Sequence, residues 1–110
     1  MSTISISQAC ELVWDLLQAL EDTYWEASTL SDKDHVFNVL QSLNAEYMEL
    51  LKISVQDHHY PYEVISTNHN VLKQTLSEFQ QVAGQLTRRQ QTSTRLNTLL
   101  NQFTVSLSGQ

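Results

Sequence analysis

Apolar residues recur along the start of the chain at alternating steps of four and three. The members of this seam are Ile6, Cys10, Val13, Leu17, Leu20, Tyr24 and Ala27. Residues with this spacing lie along one side of an α-helix, and burial of that side against other helices supplies most of the stability that a lone helix lacks. The pattern therefore predicts a helix over about residues 7–29 and favours a helical bundle.

Polar residues mark the predicted helix ends. Ser5 and Gln8 match the S-x-x-Q capping box, in which each side chain accepts a hydrogen bond from the backbone N–H of the other residue. Ser31, followed by Asp32, predicts the N-cap of a second helix over about residues 32–57. The apolar row of this helix consists of Val36, Leu40, Leu43, Tyr47 and Leu50, widened by Phe37, Met48, Leu51 and Val55. So broad an apolar side indicates neighbours on both flanks.

The segment around Pro61 separates the second helix from a third. The residue before a proline is pushed out of helical geometry, whereas proline itself suits the first helical turn, so a third helix is predicted over about residues 62–88. Its seam consists of Ile65, Leu72, Leu76, Phe79, Ala83 and Leu86, with Asn68 at the step that lacks an apolar residue. The residues expected in the common core are Leu17, Leu20, Leu40, Leu43, Leu76 and Phe79. Because both connections are short, the three long helices are expected to pack antiparallel in up-down-up order.

The chain from Thr87 to Arg95 has no apolar side chain. An amphipathic segment follows, which either continues helix three or folds back as a short fourth helix; its apolar residues are Leu96, Leu99, Leu100, Phe103 and Leu107. Because the polar stretch cannot extend the seam, we expect residues 93–110 to be coupled weakly to the core and to open locally. This mobile segment is the predicted partner-binding part of the molecule.

Composition supports one all-α domain over residues 1–110, with residues 1–6 as an N-terminal cap region and 93–110 as a C-terminal segment and tail. Two glycines and one proline provide little material for the turns of an all-β domain. The formal charge of −6 is divided unevenly, because residues 1–63 hold eleven acids and two bases whereas residues 64–110 hold one acid and four bases. So negative a molecule lacks the broad positive surface that phosphate contact needs, and nucleic acid is not an expected partner.

The sequence also predicts no membrane partner. No apolar stretch is long enough to cross a bilayer, and the first seven residues lack the basic start and apolar core of a signal peptide. Cys10 is the single cysteine and lies on the first seam, where we expect it to pack as a small apolar side chain. A cytoplasmic location is therefore expected.

No residue pattern indicates catalysis, a cofactor or a metal. A di-iron bundle needs Glu-x-x-His on two helices, and the sequence has no such motif. His58 and His59 are adjacent and point in different directions, so we interpret them as solvent-facing turn residues. Glu46-x-x-Glu49 lacks the second acidic motif of a magnesium-dependent pyrophosphatase and is interpreted as an exposed side of a helix. With no glycine-rich phosphate loop or G-x-S-x-G elbow, the chain is predicted not to be an enzyme.

The leucine-rich stretch from Val39 to Leu51 and the sequence Asn68-His69-Asn70 at the start of the third helix resemble the small helical chaperones of bacterial flagellar and type III export. Those proteins are acidic, cytoplasmic, near this length and built from antiparallel helices with a long final helix. The resemblance implies a bacterial protein that keeps an export substrate soluble, through its C-terminal segment. Arg88, Arg89 and Arg95 would then contact the partner by their position.

Two hypotheses of function follow. In the first, the protein is a binding module, an adaptor or export-chaperone-like bundle that holds a partner helix with its C-terminal segment. In the second, it is a structural homo-oligomer, such as a homodimer, in which the same segment pairs with its copy. Trp25 either packs on Phe37 or contacts a partner, and the tyrosines beside Pro61 either cover the end of the bundle or contact a partner. The predicted contact residues are Trp25, Tyr60, Tyr62, Arg88, Arg89, Arg95, Leu96, Leu99, Leu100 and Phe103.

Overall fold

A computed structural model describes residues 4–57, 59–87 and 89–108, with the side chains of residues 54–57 excepted. These residues form four helices and no strand: α1 (Ile6–Glu26), α2 (Leu30–Asp57), α3 (His69–Leu86) and α4 (Gln90–Ser108). The all-α prediction is confirmed. The C-terminal segment is a separate fourth helix and does not continue the third.

One core joins all four helices. α1 contacts α2 and α4, and α3 contacts the same two helices. Of the six side chains expected in the core, Leu20, Leu43, Leu76 and Phe79 are buried. Leu17 and Leu40 are only half-buried and pack at the edge of the core. In the part of the chain that the structure describes, no helix is long and apolar enough to cross a membrane.

The buried sides of α1 and α2 are rotated from the predicted seams. α1 buries Ile6, Ala9, Val13, Leu16, Leu20 and Thr23, and α2 buries Val36, Val39, Leu43, Glu46 and Leu50. Alternate members of each predicted seam, such as Val13 and Leu43, are buried as predicted. In place of the members between them, the residue one position earlier is buried: Ala9 in place of Cys10, and Val39 in place of Leu40. Steps of three and four fit a helix equally well, so spacing alone does not determine which of the two adjacent sides is buried.

The helix starts follow their capping side chains. The capping box at Ser5 is confirmed: Gln8 N–H donates to Ser5 Oγ over 3.1 Å, and Ser5 N–H donates to Gln8 Oε1 over 2.9 Å. The predicted cap at Ser31 is wrong. Thr29 Oγ1 accepts the N–H of Asp32 at 3.1 Å, so α2 begins at Leu30.

The predicted start of the third helix at residue 62 is also wrong, since α3 begins at His69. The backbone between Tyr60 and Ser66 has non-helical partners: Tyr62 N–H donates to Ile4 O at 2.7 Å, and Ser66 N–H donates to a carboxylate oxygen of α2. Asn68 then caps α3 by accepting the N–H of Asn70 at 2.8 Å. The residue that interrupts the predicted seam is therefore the helix cap.

The C-terminal segment is part of the core. Leu96, Leu100, Phe103 and Leu107 have no exposed surface, and Leu99 is half-buried. The expectation that residues 93–110 couple weakly to the core is therefore wrong for the residues up to 108. The polar run after Leu86 spans a reversal of the chain, and its later residues form the first turns of α4, so the apolar stripe returns over α1 and α3.

If α4 is a core helix, Phe103→Ala should lower the free energy of unfolding by about 3–5 kcal/mol, because it leaves a cavity at a fully buried position. Val105→Ala is the matched control on the same helix. Val105 is 46% exposed, so its loss should cost about 0.5 kcal/mol or less. Urea unfolding of both variants measures the difference. Equal, small losses would contradict the placement of α4.

Candidate protein-binding surface

Large apolar side chains are exposed mainly on the first two helices. Among the described residues nine such side chains are exposed, and six of these lie on α1 or α2. They are Trp14 and Trp25 of α1, and Leu30, Phe37, Met48 and Leu51 of α2. Their separations of eleven, seven, eleven and three residues place them along one side of each helix. The exposed apolar residues of each helix are therefore aligned along one side of it.

A groove of about 440 Å³ lies between these two sides. We call it the α1–α2 groove. Its apolar lining consists of Trp14 and Leu17 from α1 with Phe37 and Leu40 from α2, and its polar lining consists of Gln18, Glu21, Gln41 and Asn44. The two leucines are half-buried and belong to the edge of the core, whereas Trp14 and Phe37 are each 48% exposed. The Trp14 ring is held in place by Tyr47, with ring centroids 5.5 Å apart.

The register of α1 and α2 accounts for this groove. Because both helices bury the earlier of two adjacent positions, the predicted seam residues Leu17 and Leu40 lie at the contact between the helices. Trp14 and Phe37 lie one step further out, beyond the reach of α3 and α4. The two helices thus carry more apolar surface than the four-helix core covers.

The charges around the α1–α2 groove are acidic. Glu21 lines it, while Glu11 and Asp34 each lie one helical turn from an exposed aromatic residue, and all three side chains are exposed. The two lysines of these helices have partners within the chain, and Lys33 also lies 5.6 Å from the centre of the Trp25 ring. Lys33 Nζ donates to Tyr24 O at 2.7 Å and lies 4.6 Å from the centre of the Tyr24 ring, and Lys52 pairs with Glu49 at 3.2 Å.

The predicted aromatic contact residues differ in exposure. Trp25 is 72% exposed at the end of the same side of α1, and its ring packs edge-on against Tyr24 and not on Phe37. Tyr60 is exposed in the connection between α2 and α3. Tyr62 is buried and its ring stacks on Phe103, with centroids 6.0 Å apart. Of the two alternatives for Tyr62, its burial agrees with packing inside the bundle and not with contact to a partner.

Two of the predicted arginines, Arg89 and Arg95, lie where α1 meets α4. Arg95 is 3.6 Å from Asp22 in an exposed ion pair. The backbone N–H of Arg89 donates to Glu26 at 3.0 Å, and Thr92 Oγ1 donates to the other oxygen of that carboxylate at 2.5 Å. Arg88 lies outside the described residues. Glu26 thus joins the end of α1 to the start of α4, and both signs of charge meet there.

The predicted apolar contact residues of α4 are not on the surface. Leu96, Leu100 and Phe103 are fully buried in the folded chain, and Leu99 is half-buried. A partner could reach them only after α4 left the bundle. Their role as contact residues is therefore not supported by their location.

A buried carboxylate lies away from the groove, on the core side of α2. Glu46 was interpreted as part of an exposed side of a helix, which is wrong, since it has no exposed surface. Its oxygens accept hydrogen bonds from Tyr62 Oη at 2.5 Å, Ser66 Oγ at 2.7 Å and the backbone N–H of Ile65 at 3.0 Å. Burial, together with this hydrogen bond and the charge of Glu46, raises the pKa of Tyr62 far above its usual value. The sequence signal was an acid three residues after Leu43 and four before Leu50, both in the core.

No candidate metal centre is found among the residues that the structure describes: nowhere do three or more His, Cys, Asp or Glu side chains form a group that could hold an ion. His59 is exposed, and His58 lies outside those residues. His69 instead joins two helices, since its Nε2 lies 2.6 Å from Leu107 O. The absence of a metal in solution stays a prediction.

Comparison of the chain with known proteins gives no relative. No protein-family model matches it, and neither the curated proteins nor the solved structures include a significant match. The fold and the surface chemistry are therefore the basis for a functional proposal.

The Glu46–Tyr62 pair gives a test at alkaline pH. At pH 8, Tyr62→Phe should lower the free energy of unfolding by about 1.5–3 kcal/mol, because it removes a hydrogen bond to a buried carboxylate. In the unfolded chain Tyr62 loses its proton near pH 10, whereas the raised pKa keeps it protonated in the folded protein. Its contribution is therefore complete below about pH 10 and falls above it.

The difference in unfolding free energy between the wild type and Tyr62→Phe should then narrow above about pH 10. Urea unfolding at pH 8 and at increasing pH above 10 measures it. A difference that stays constant over this range would show that Tyr62 is not held in its protonated form.

Proposed function

We propose that this protein is a non-enzymatic, protein-binding helical bundle and that the α1–α2 groove is its binding surface. The observation that supports this most is that Trp14 and Phe37, each 48% exposed, line one groove, while Trp25 and Met48 are exposed elsewhere on the same two helices. Exposed apolar surface of this kind marks sites where proteins interact, and aromatic residues and methionine are enriched there.

The proposal includes an antiparallel, up-down arrangement of the four helices. Three contacts support it. Ile6 N–H donates to Tyr60 O, which brings the start of α1 close to the end of α2. The contact of Glu26 with Thr92 joins the end of α1 to the start of α4, and that of His69 with Leu107 joins the start of α3 to the end of α4. Such a bundle supports the groove from behind with α3 and α4.

An adaptor or export-chaperone-like role fits this surface better than it fits the C-terminal segment. A partner reaches the α1–α2 groove with the core intact, whereas it reaches Leu100 or Phe103 only if the core opens. The bacterial and cytoplasmic setting that the resemblance to export chaperones implies stays a prediction. In the alternative, a structural homo-oligomer, the groove is covered by a second copy.

Site-specific photo-crosslinking tests the proposal. Phe37 is replaced by p-benzoylphenylalanine, and the variant is irradiated in cells that express the protein. Val71 on α3, which is 54% exposed and apolar but far from the groove, is the matched control position. We expect adducts to another protein at position 37 and few at position 71, with unchanged melting temperatures.

The outcomes separate the hypotheses. An adduct with the mass of two chains at position 37 would favour the homo-oligomer. Equal adducts at both positions, or none at position 37, would contradict a binding role for the groove.

A further inference from the structure

We infer that the occupant of the α1–α2 groove is an amphipathic helix of a partner protein, with lysine or arginine residues flanking its apolar side. The inference rests on the proposed function and names the class of partner. Three observations support it: the shape of the groove, the absence of free backbone groups in its walls, and the sign of the charge along its edges.

The groove has the shape of a site for a third helix. It runs between two packed helices and is lined by Trp14 and Phe37, and the other exposed apolar residues of α1 and α2 share the same side of each helix. Trp14 and Trp25 are eleven residues apart, which is about 16 Å along α1, and Leu30 and Leu51 are about 32 Å apart along α2. An apolar side of about 11–20 helical residues matches that length. Anchors spaced by three and four residues would contact Trp14, Leu17, Phe37 and Leu40.

The walls favour a helix over an extended segment. Trp14 and Phe37 lie well inside α1 and α2, where the backbone N–H and C=O groups are paired within each helix. An extended segment lying in the groove would bury its own backbone polar groups without partners, which costs free energy for each group. A helix brings its backbone groups already paired, and it places only side chains in the groove.

The acidic residues around the groove determine which charge the partner helix carries beside its apolar side. Glu11, Glu21 and Asp34 are exposed on the sides that carry the aromatic residues. Lys33 and Lys52, the bases of this part of the chain, are engaged with Tyr24 and Glu49. A partner with lysine or arginine beside its apolar side therefore meets complementary charge, and one with acidic flanks is repelled.

The same charges disfavour a second copy of this chain as the occupant. In a two-fold dimer through the groove, identical surfaces meet, so the acidic edges of one copy would face those of the other. Among the described exposed bases that could compensate, Arg89 and Arg95 line a pocket with Trp25 at the junction of α1 and α4, and Lys52 is paired with Glu49. The remaining amphipathic stripe, that of α4, is buried in its own core.

Three synthetic peptides of about 18 residues, all without tryptophan, test the inference on the full chain. The first has leucines at helical spacing with lysines on both flanks. The second has glutamates in place of the lysines, and the third has the composition of the first in scrambled order. Binding is measured by the fluorescence of Trp14 and Trp25 and by calorimetry. We expect the first peptide to bind at least tenfold more tightly than the other two and to become helical on binding. Its affinity should fall when salt is added.

Two matched double variants locate the charge effect. Glu21→Gln with Asp34→Asn removes the acid that lines the groove and the acid one helical turn before Phe37. Glu63→Gln with Glu78→Gln removes two exposed acids elsewhere. The first pair should weaken binding of the lysine peptide by about 5–10-fold. The second pair should change it by less than about twofold.

Several results would overturn the inference. Equal affinity for the lysine and glutamate peptides would show that the groove does not select for basic flanks. Equal affinity for the lysine peptide and its scrambled form would show that the groove does not select for an amphipathic helix. A dimer of the protein alone that Phe37→Ser dissociates would identify a second copy as the occupant. If no peptide binds while crosslinks still form at position 37, the inference fails and the proposed function stands; if those crosslinks are absent, the proposed function fails.

Discussion

A buried carboxylate on α2 determines how the chain passes from the second helix to the third. A charge without solvent is costly unless donors surround it, and Glu46 receives them from Tyr62, Ile65 and Ser66. Those donors are held in a non-helical connection. This is why α3 begins only at His69 and why the Tyr62 ring stacks on Phe103 of α4. One side chain thus links α2, the connection and the last helix, and it defines the side of the bundle opposite the α1–α2 groove.

The helices themselves were predictable, whereas their rotation and the path between them were not. The positions shared by both possible seams, such as Val13, Leu20, Leu43 and Leu50, are buried as expected. The positions between are ambiguous, because the choice depends on where α3 and α4 lie, and that is information from distant parts of the chain. Glu46 occupies one of these positions. A charged residue on a core seam was the signal that the sequence offered, and interpreting it as a surface residue concealed both the connection and the late start of α3.

The candidate site was missed for the same reason. Trp25 was identified from its position off the predicted seam, but the apolar contact residues were sought on the C-terminal stripe, which was expected to lack a partner within the core. In the fold, that stripe has one: α4 packs its leucines against α1 and α3. The later residues of the polar run before it are the first turns of α4 and not a hinge to a free segment. Among the described side chains, Phe37 and Met48, which spacing assigned to the broad apolar side of α2, are instead about half exposed.

Aromatic side chains that stay exposed do not contribute the free energy that their burial would add to folding. Burying a side chain the size of phenylalanine contributes about 1.5–3 kcal/mol to the free energy of folding. In this protein Trp14 and Phe37 are about half exposed and Trp25 is largely exposed. Rotating α1 and α2 to cover them would expose Leu16 and Val39 and move Glu46 away from its donors. The buried carboxylate therefore stabilises the register that exposes the groove. The rotation of α2 that buries Glu46 among its hydrogen-bond donors is also the rotation that leaves the Phe37 side chain half exposed beside the groove.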